Sequence, residues 1–280
     1  MANKVNMKAI VLTCDKYIKL AHHMIATYEK IWPSHPFIFR LPYENYPNHL
    51  KEKYADKVEL VKIADTNLSI KSTLLSLLED LSDEEWIYWC MDDRYLISLN
   101  ERKANQTLDW MRSIRDPEIS GICFARVRNL YKTSNVEKND FLMSPNKQIF
   151  LKRKNYNQIW LHQFLRVKVL RRLFSLFPDR NFSPKEMDGF KDKVNLIQEH
   201  RLYVIKTNIV IFGESTTRGK ITRNCATSLA RYNIDFPDNF KVSNKEIVIG
   251  KMYNFSVLNQ VSEAFSSLVR KLKARLSNAK

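Results

Sequence analysis

Over residues 7–97 apolar runs with strand character alternate with segments of helical spacing, and this alternation constrains the fold more than any other feature. Met7 to Asp15 is a continuous apolar run that ends in small polar residues. Tyr17 to Trp32 then places Leu20, Met24, Tyr28 and Ile31 on one helical face, and Pro33 stops it. Pro36–Tyr43 and Lys57–Ala64 read as strands, Asn48–Asp56 and Ser69–Leu81 as helices. Trp86-Ile-Tyr-Trp-Cys-Met91 reads as a buried strand. The alternation predicts an α/β fold with a largely parallel sheet flanked by helices, where ligands bind beyond the carboxyl ends of the strands.

Three predicted strand ends carry acids: Asp15 after Thr13-Cys14, Asp65, and the pair Asp92-Asp93. Two adjacent carboxylates repel, and a bound divalent cation relieves that repulsion. An acidic turn is the plainer reading of the pair alone, since Asp is common in turns. Strand alternation would send Asp92 and Asp93 to opposite sides, which favours Asp93 as the metal ligand.

Further along, Asn100–Arg115 reads as a helix and Ile119–Val127 as a strand, followed by a polar, irregular stretch, 128–143, suited to a loop over the site. Gln148–Lys154 and Gln158–Phe164 suggest a hairpin, Val167–Phe177 a basic amphipathic helix, and Leu202–Phe212 a last strand. Ser183-Pro-Lys-Glu186 has the form of a capping box opening a helix over Asn181–Lys193. Beyond residue 256, Val261, Phe265, Leu268, Leu272 and Leu276 form an apolar stripe beside Arg270, Lys271, Lys273 and Arg275. That pattern fits a helix lying on an anionic membrane surface, or one packed on the domain with a solvated basic face.

Composition narrows the functional classes. The formal net charge of +16 calls for an anionic partner: nucleic acid, anionic lipid or a phosphorylated small molecule. Eight Lys or Arg and no acid fall between Lys147 and Arg172. With only five glycines, Gly-rich phosphate loops are nearly excluded; Gly213–Lys220 has five residues between its glycines where a P-loop has four, and Ile221 stands where Ser or Thr should hold magnesium. It reads as a basic loop, with Arg218 able to meet a diphosphate by charge. His22-His23 lacks a partner at metal spacing, and no nucleophile elbow occurs. Scattered Cys14, Cys90, Cys123 and Cys225, an opening without a signal-type apolar run, and no bilayer-length apolar stretch fit a cytoplasmic protein, soluble or peripheral on the inner membrane face.

Val11-Leu-Thr-Cys-Asp-Lys-Tyr17, Trp32-Pro33 and Met91-Asp-Asp-Arg-Tyr95 occur in the order and spacing seen in GT-A type nucleotide-sugar glycosyltransferases, and residues 7–97 resemble that group, in particular bacterial enzymes that build capsule, O-antigen and other envelope glycans. More loosely, Lys147-Gln-Ile-Phe150 with its following Trp, and Pro184-Lys-Glu186, are similar to the acceptor portion.

The resemblance implies a GT-A-like, Rossmann-like sheet over 1–256. Its nucleotide-sugar half spans about 1–128 and its mixed acceptor-side half about 129–256, with a basic amphipathic C-terminal helix over 257–280. It implies that Thr13, Asp15, Asp65, Asp92, Arg94 and Arg218 bind the nucleotide sugar, that Asp92 and Asp93 hold Mn²⁺ or Mg²⁺, and that Glu186 or Asp188 takes the acceptor proton. The plainer role for Glu186 is the capping box. The expected reaction is metal-dependent transfer of a sugar from a nucleotide-sugar donor to an envelope glycan or lipid-linked oligosaccharide acceptor, with nucleic acid not expected as a partner. Two rival readings are a non-catalytic nucleic-acid binder using residues 147–172 and a nucleotidyltransferase, although the latter usually carries a Gly-rich amino-terminal loop that is missing here.

Overall fold

The computed structural model describes residues 6–45, 48–63, 69–126, 135–180 and 184–250. Asp65, Ser183 and the basic stretch 257–280 lie outside them. The first elements follow the hydrophobic pattern: β1 (Met7–Leu12), α1 (Ile18–Ile31), β2 (Phe37–Tyr43), α2 (Asn48–Lys53), β3 (Val58–Lys62), α3 (Ile70–Leu77) and β4 (Trp86–Met91). Next come β5 (Arg94–Leu99), α4 (Glu101–Ser113), β6 (Ile119–Cys123), β7 (Val136–Met143), β8 (Ile149–Arg153), β9 (Gln163–Arg166), α5 (Val167–Ser175) and α6 (Pro184–Lys191). The chain continues through β10 (Arg201–Ile205), β11 (Val210–Glu214), β12 (Thr216–Thr217), β13 (Lys220–Ile221), α7 (Arg223–Arg231) and β14 (Val248–Ile249).

Nine strands form one sheet in the order β3-β2-β1-β4-β9-β6-β10-β8-β7. The pairings make β3, β2, β1, β4, β6, β10 and β7 run one way, with β9 and β8 opposed. This is the expected mostly parallel α/β sheet. Side-chain alternation along β4 gives both faces a core. Tyr88 faces an aromatic cluster with Tyr28, Trp32, Phe37, Phe124 and Phe164, while Ile87 and Trp89 face Leu74 and Leu77 of α3 and Leu170, Leu173 and Phe174 of α5.

Three expectations are corrected. Residues 148–164 are not a hairpin, because β8 pairs with β7 and β10, while β9 lies between β4 and β6. Leu202–Phe212 is two strands: after β10 the chain bends at Lys206-Thr207, Asn208 accepts the Arg126 N–H (2.8 Å), and β11 joins a second sheet, β14-β11-β5. The stretch 128–143 is not all loop, since β7 pairs along β8. Apolar pattern marks a strand but not its partner, and all three of these differences concern partners. The basic run 147–172, on which the rival nucleic-acid reading rests, has side chains largely engaged within the fold. Lys152 pairs with Asp140 (2.9 Å), Lys168 with Glu84 (2.8 Å) and Arg171 with Asp83, and Arg166 lies over the Trp86 ring (4.7 Å) while binding backbone carbonyls. Arg153 is buried with Nη1 on Gln163 (2.8 Å). A side chain so engaged is a poor phosphate contact, which argues against a nucleic-acid platform.

Within the second sheet the ring of Tyr95 on β5 packs over its partner Gly213 on β11, so that a Cβ there would lie 2.3 Å from the ring. Asn224 Nδ2 donates to the Tyr95 hydroxyl (2.7 Å) and His23 packs at 4.6 Å, so the ring has nowhere to go. Gly213→Ala is expected to cost about 1–3 kcal/mol through overpacking, read as a lower urea midpoint with unchanged slope; a midpoint equal to wild type would show that the ring can yield.

Candidate active site

β4 ends at Met91 and β5 begins at Arg94, yet β5 pairs with β11 and not with β4. Asp92-Asp93 is therefore a two-residue turn at which the chain leaves the large sheet for the small one. Leu12 lies beside Met91 in the β1–β4 register, and Asp92 N–H donates to Leu12 O (3.3 Å). Ser215 N–H donates to Asp93 O (2.7 Å), pinning the other side. The β4–β9 pairing stops at Trp89–Gln163, and there the imidazole of His162 takes over. Its Nε2 sits 2.9 Å from both Met91 N and Met91 O, its Nδ1 is 2.7 Å from the Tyr28 hydroxyl, and Tyr28 meets the Tyr88 hydroxyl at 2.8 Å. Burial above all, with nearby Arg94 adding, lowers His162 to about 3, against a smaller opposing effect of the Met91 backbone. A neutral ring with its proton on Nδ1 donates to Tyr28 and accepts the Met91 N–H.

The turn concentrates negative charge where water is scarce. Asp92 is half-buried, with its open side on a pocket, and its carboxyl is pushed up to about 8, first by burial and then by the Asp93 charge. A Thr13 hydrogen bond and backbone N–H groups oppose the rise. Arg94 pairs with Glu214, a carboxyl that burial raises and Arg94 lowers. The Tyr17 hydroxyl is raised by burial, with Cys14, Asp92 and Asp93 adding to it.

The pocket, of about 470 Å³, gathers Thr13, Asp92, Asp93, Arg94 and Asp188 among the expected residues. Both acids of the turn line it, because turn geometry and not strand alternation directs them. Asp188 comes from α6 and faces them, with Trp160 Nε1 donating to its Oδ1 (2.7 Å). Other expected residues are placed elsewhere. The Asp15 carboxylate accepts the Glu44 and Asn45 N–H groups (3.1 and 2.7 Å) and Asn45 Nδ2 (3.0 Å), tying the end of β1 to the end of β2. Glu186 is exposed and pairs with Arg180 (3.3 Å). Arg218 is exposed at the tip of the β12–β13 hairpin, where it and Gly219 adopt left-handed φ of 50° and 72°, as a two-residue hairpin turn of this hand requires. Asp65 lies outside the described residues.

Tyr17, Trp160, Thr73, Met187 and Thr216 also line the pocket and were missed as site residues. Tyr17 stood inside the motif after the first strand, and Thr216 inside the loop that failed as a P-loop. Trp160 is the Trp of the segment loosely similar to the acceptor portion, a likeness that assigned it no role. Among the described residues no three His, Cys, Asp or Glu come together as a metal cluster. The chain thus offers a cation two adjacent hard-oxygen carboxylates, a set suited to Mg²⁺ or Mn²⁺ completed by ligand phosphate and water. The raised Asp92 carboxyl fits that need, since a bound cation would displace its proton. Among the described residues no helix is long and apolar enough to cross a membrane.

No family model matches the chain, and no curated protein does. Solved structures similar to it include the S. aureus protein TarS, residues 1–349, at 12% identity and TM-score 0.47 over 74% of this chain and 59% of that one. The galactosyltransferase LgtC, in complex with donor and acceptor sugar analogs, is 10% identical over 86% of both chains at TM-score 0.37. The Anaerococcus prevotii 4-diphosphocytidyl-2C-methyl-D-erythritol synthase is 10% identical over 82% of this chain and 97% of that one at TM-score 0.38. The likeness, distant in each case, thus runs to a galactosyltransferase and to a diphosphocytidyl synthase alike.

Proposed function

We propose that this chain is a nucleotide-sugar glycosyltransferase that acts with a divalent cation at the Asp92–Asp93 turn. The observation that carries the reading is a single pocket with two adjacent carboxylates on one wall, one of them held high by burial, and the separate carboxylate of Asp188 on another. Asp92 and Asp93 would hold Mn²⁺ or Mg²⁺, which when bound neutralises the charge of the leaving diphosphate. Thr13, with Tyr17 beside it, borders the nucleoside end, and Arg94 stays with Glu214 at the floor. Asp188 accepts the proton of the acceptor hydroxyl as that oxygen bonds to the anomeric carbon. The bond from that carbon to the diphosphate oxygen breaks, and the nucleoside diphosphate leaves with its electron pair. Asp188 is preferred over Glu186 because it alone of the two lines the pocket. Arg218, exposed at its hairpin tip, would supply charge for the anionic substrate.

The acceptor in this reading is a hydroxyl of a cell-envelope glycan, carried on lipid. The basic stretch 257–280 would hold the chain near the inner membrane face, and that element rests on its sequence alone.

Calorimetric titration with UDP, GDP, dTDP and CMP, each with and without Mn²⁺, is expected to find one nucleotide whose binding requires the cation. Replacing both Asp92 and Asp93 by Ala should weaken that binding at least about tenfold. Binding by none of the four, or binding indifferent to the double substitution, would defeat the reading. Turnover should release a nucleoside diphosphate; pyrophosphate release would identify a nucleotidyltransferase instead.

Acidity offers a second check. The Asp92 carboxyl is raised above its unfolded value, so between about pH 4 and pH 8 the folded protein binds more protons than the unfolded chain, and its stability falls as pH rises through that window. Cation binding removes the proton, so the gain in melting temperature given by Mn²⁺ with the nucleotide should grow from about pH 6 to about pH 8 and then level off. In Asp92→Asn the gain should be smaller and flat with pH; a wild-type gain independent of pH would contradict this.

A further inference from the structure

Asp188 sits on an exposed face of α6 and would be free to swing but for two contacts. Trp160 Nε1 donates to Oδ1 at 2.7 Å, and Lys191 Nζ lies 3.4 Å from the same oxygen. Both contacts fall on Oδ1 of a residue that lines the pocket. Lys191 is itself shared with Asp192 (2.7 Å), so the indole is the contact dedicated to Asp188.

Trp160 is unusually well fixed for a half-buried residue in an irregular loop. Its ring packs edge-on against Phe174 (6.1 Å, 81°). The loop carrying it is fastened on both sides of the indole. Gln163 Nε2 donates to the carbonyls of Gln158 (2.7 Å) and Leu161 (3.0 Å), and Trp89 Nε1 donates to that of Ile159 (2.6 Å). Gln163 is in turn held by the buried Arg153 (2.8 Å). Two residues on from Trp160, His162 braces the Met91 backbone just before the acid turn. One rigid loop thus touches both walls of the pocket.

We propose that Trp160 is a positioning residue: its indole N–H holds Oδ1 of Asp188 so that Oδ2 meets the acceptor hydroxyl in register with the Asp92–Asp93 turn. This rests on the reading of Asp188 as proton acceptor. Positioning of this kind acts on turnover more than on donor binding, because a misplaced base costs rate while the nucleotide site is untouched.

The test uses Trp160→Phe, which keeps a ring against Phe174 and loses the N–H, beside Asp188→Asn and the double variant. Kinetics are followed as cation-dependent release of nucleoside diphosphate from whichever of a UDP-, GDP- and dTDP-sugar panel the wild type cleaves fastest, with water as acceptor. Trp160→Phe is expected to lower kcat about ten- to a hundredfold with the donor KM changed less than about twofold, and to add nothing in the Asp188→Asn background. Independently of activity, the ¹⁵N-indole resonance that vanishes in Trp160→Phe should move in Asp188→Asn. An inactive Asp188→Asn beside a fully active Trp160→Phe would overturn the positioning role and leave the reading of Asp188 standing. An active Asp188→Asn would overturn both. An indole resonance that ignores Asp188→Asn would overturn the contact itself, whatever the kinetics.

Discussion

Two carboxylates joined by a single peptide bond at the end of a buried strand repel each other in a place where solvent screens them poorly. The turn they occupy persists because its backbone is held from three directions: by Leu12 of the neighbouring strand, by Ser215 N–H, and by the His162 imidazole where β9 stops. Had β5 turned back along β4 as an ordinary hairpin, the acids would lie at a closed sheet edge. Because β5 instead pairs with β11, the two sheets part at this corner and a pocket opens beyond the carboxyl end of β4.

The surrounding groups share one logic. His162, Tyr28 and Tyr88 form a buried polar chain in which the hydroxyls and ring nitrogens find partners, and burial keeps the imidazole neutral so that it adds no positive charge beneath the acids. Arg94 pairs with Glu214, so part of its charge is neutralised before it reaches the turn. A site that resists its own charge in this way is poised for a ligand that supplies the opposite charge. Asp188 lies on a different wall, on a short helix, and depends on the loop of Trp160 for its place.

Much of this was legible in the residues and some of it was not. β1 to β4 and their helices followed from apolar runs buried on both faces, a pattern that needs no knowledge of distant partners. The Asp92–Asp93 pair drew attention for its chemistry, yet the side each carboxylate faces depended on a turn that alternation could not foresee. The split of Leu202–Phe212, the role of β7 and the separation of β8 from β9 depend on pairings across the sheet, to which local patterning is blind. Glu186 and Asp188 were both candidates on paper, with a capping box the plainer role for Glu186; they stand only two residues apart on α6, yet Asp188 alone lines the pocket, and only packing distinguishes them. Trp160 looked like any core aromatic until its N–H was found on Asp188.

The central claim is that the Asp92–Asp93 turn holds a cation against a nucleotide diphosphate. The most direct measurement is anomalous diffraction from crystals grown with Mn²⁺ and the nucleoside diphosphate that binds best. One manganese peak is expected within coordination distance of an Asp92 or Asp93 carboxylate and of the diphosphate, with the nucleoside toward Thr13 and Tyr17. A nucleotide bound elsewhere, or seated in this pocket with manganese absent from both carboxylates, would contradict it.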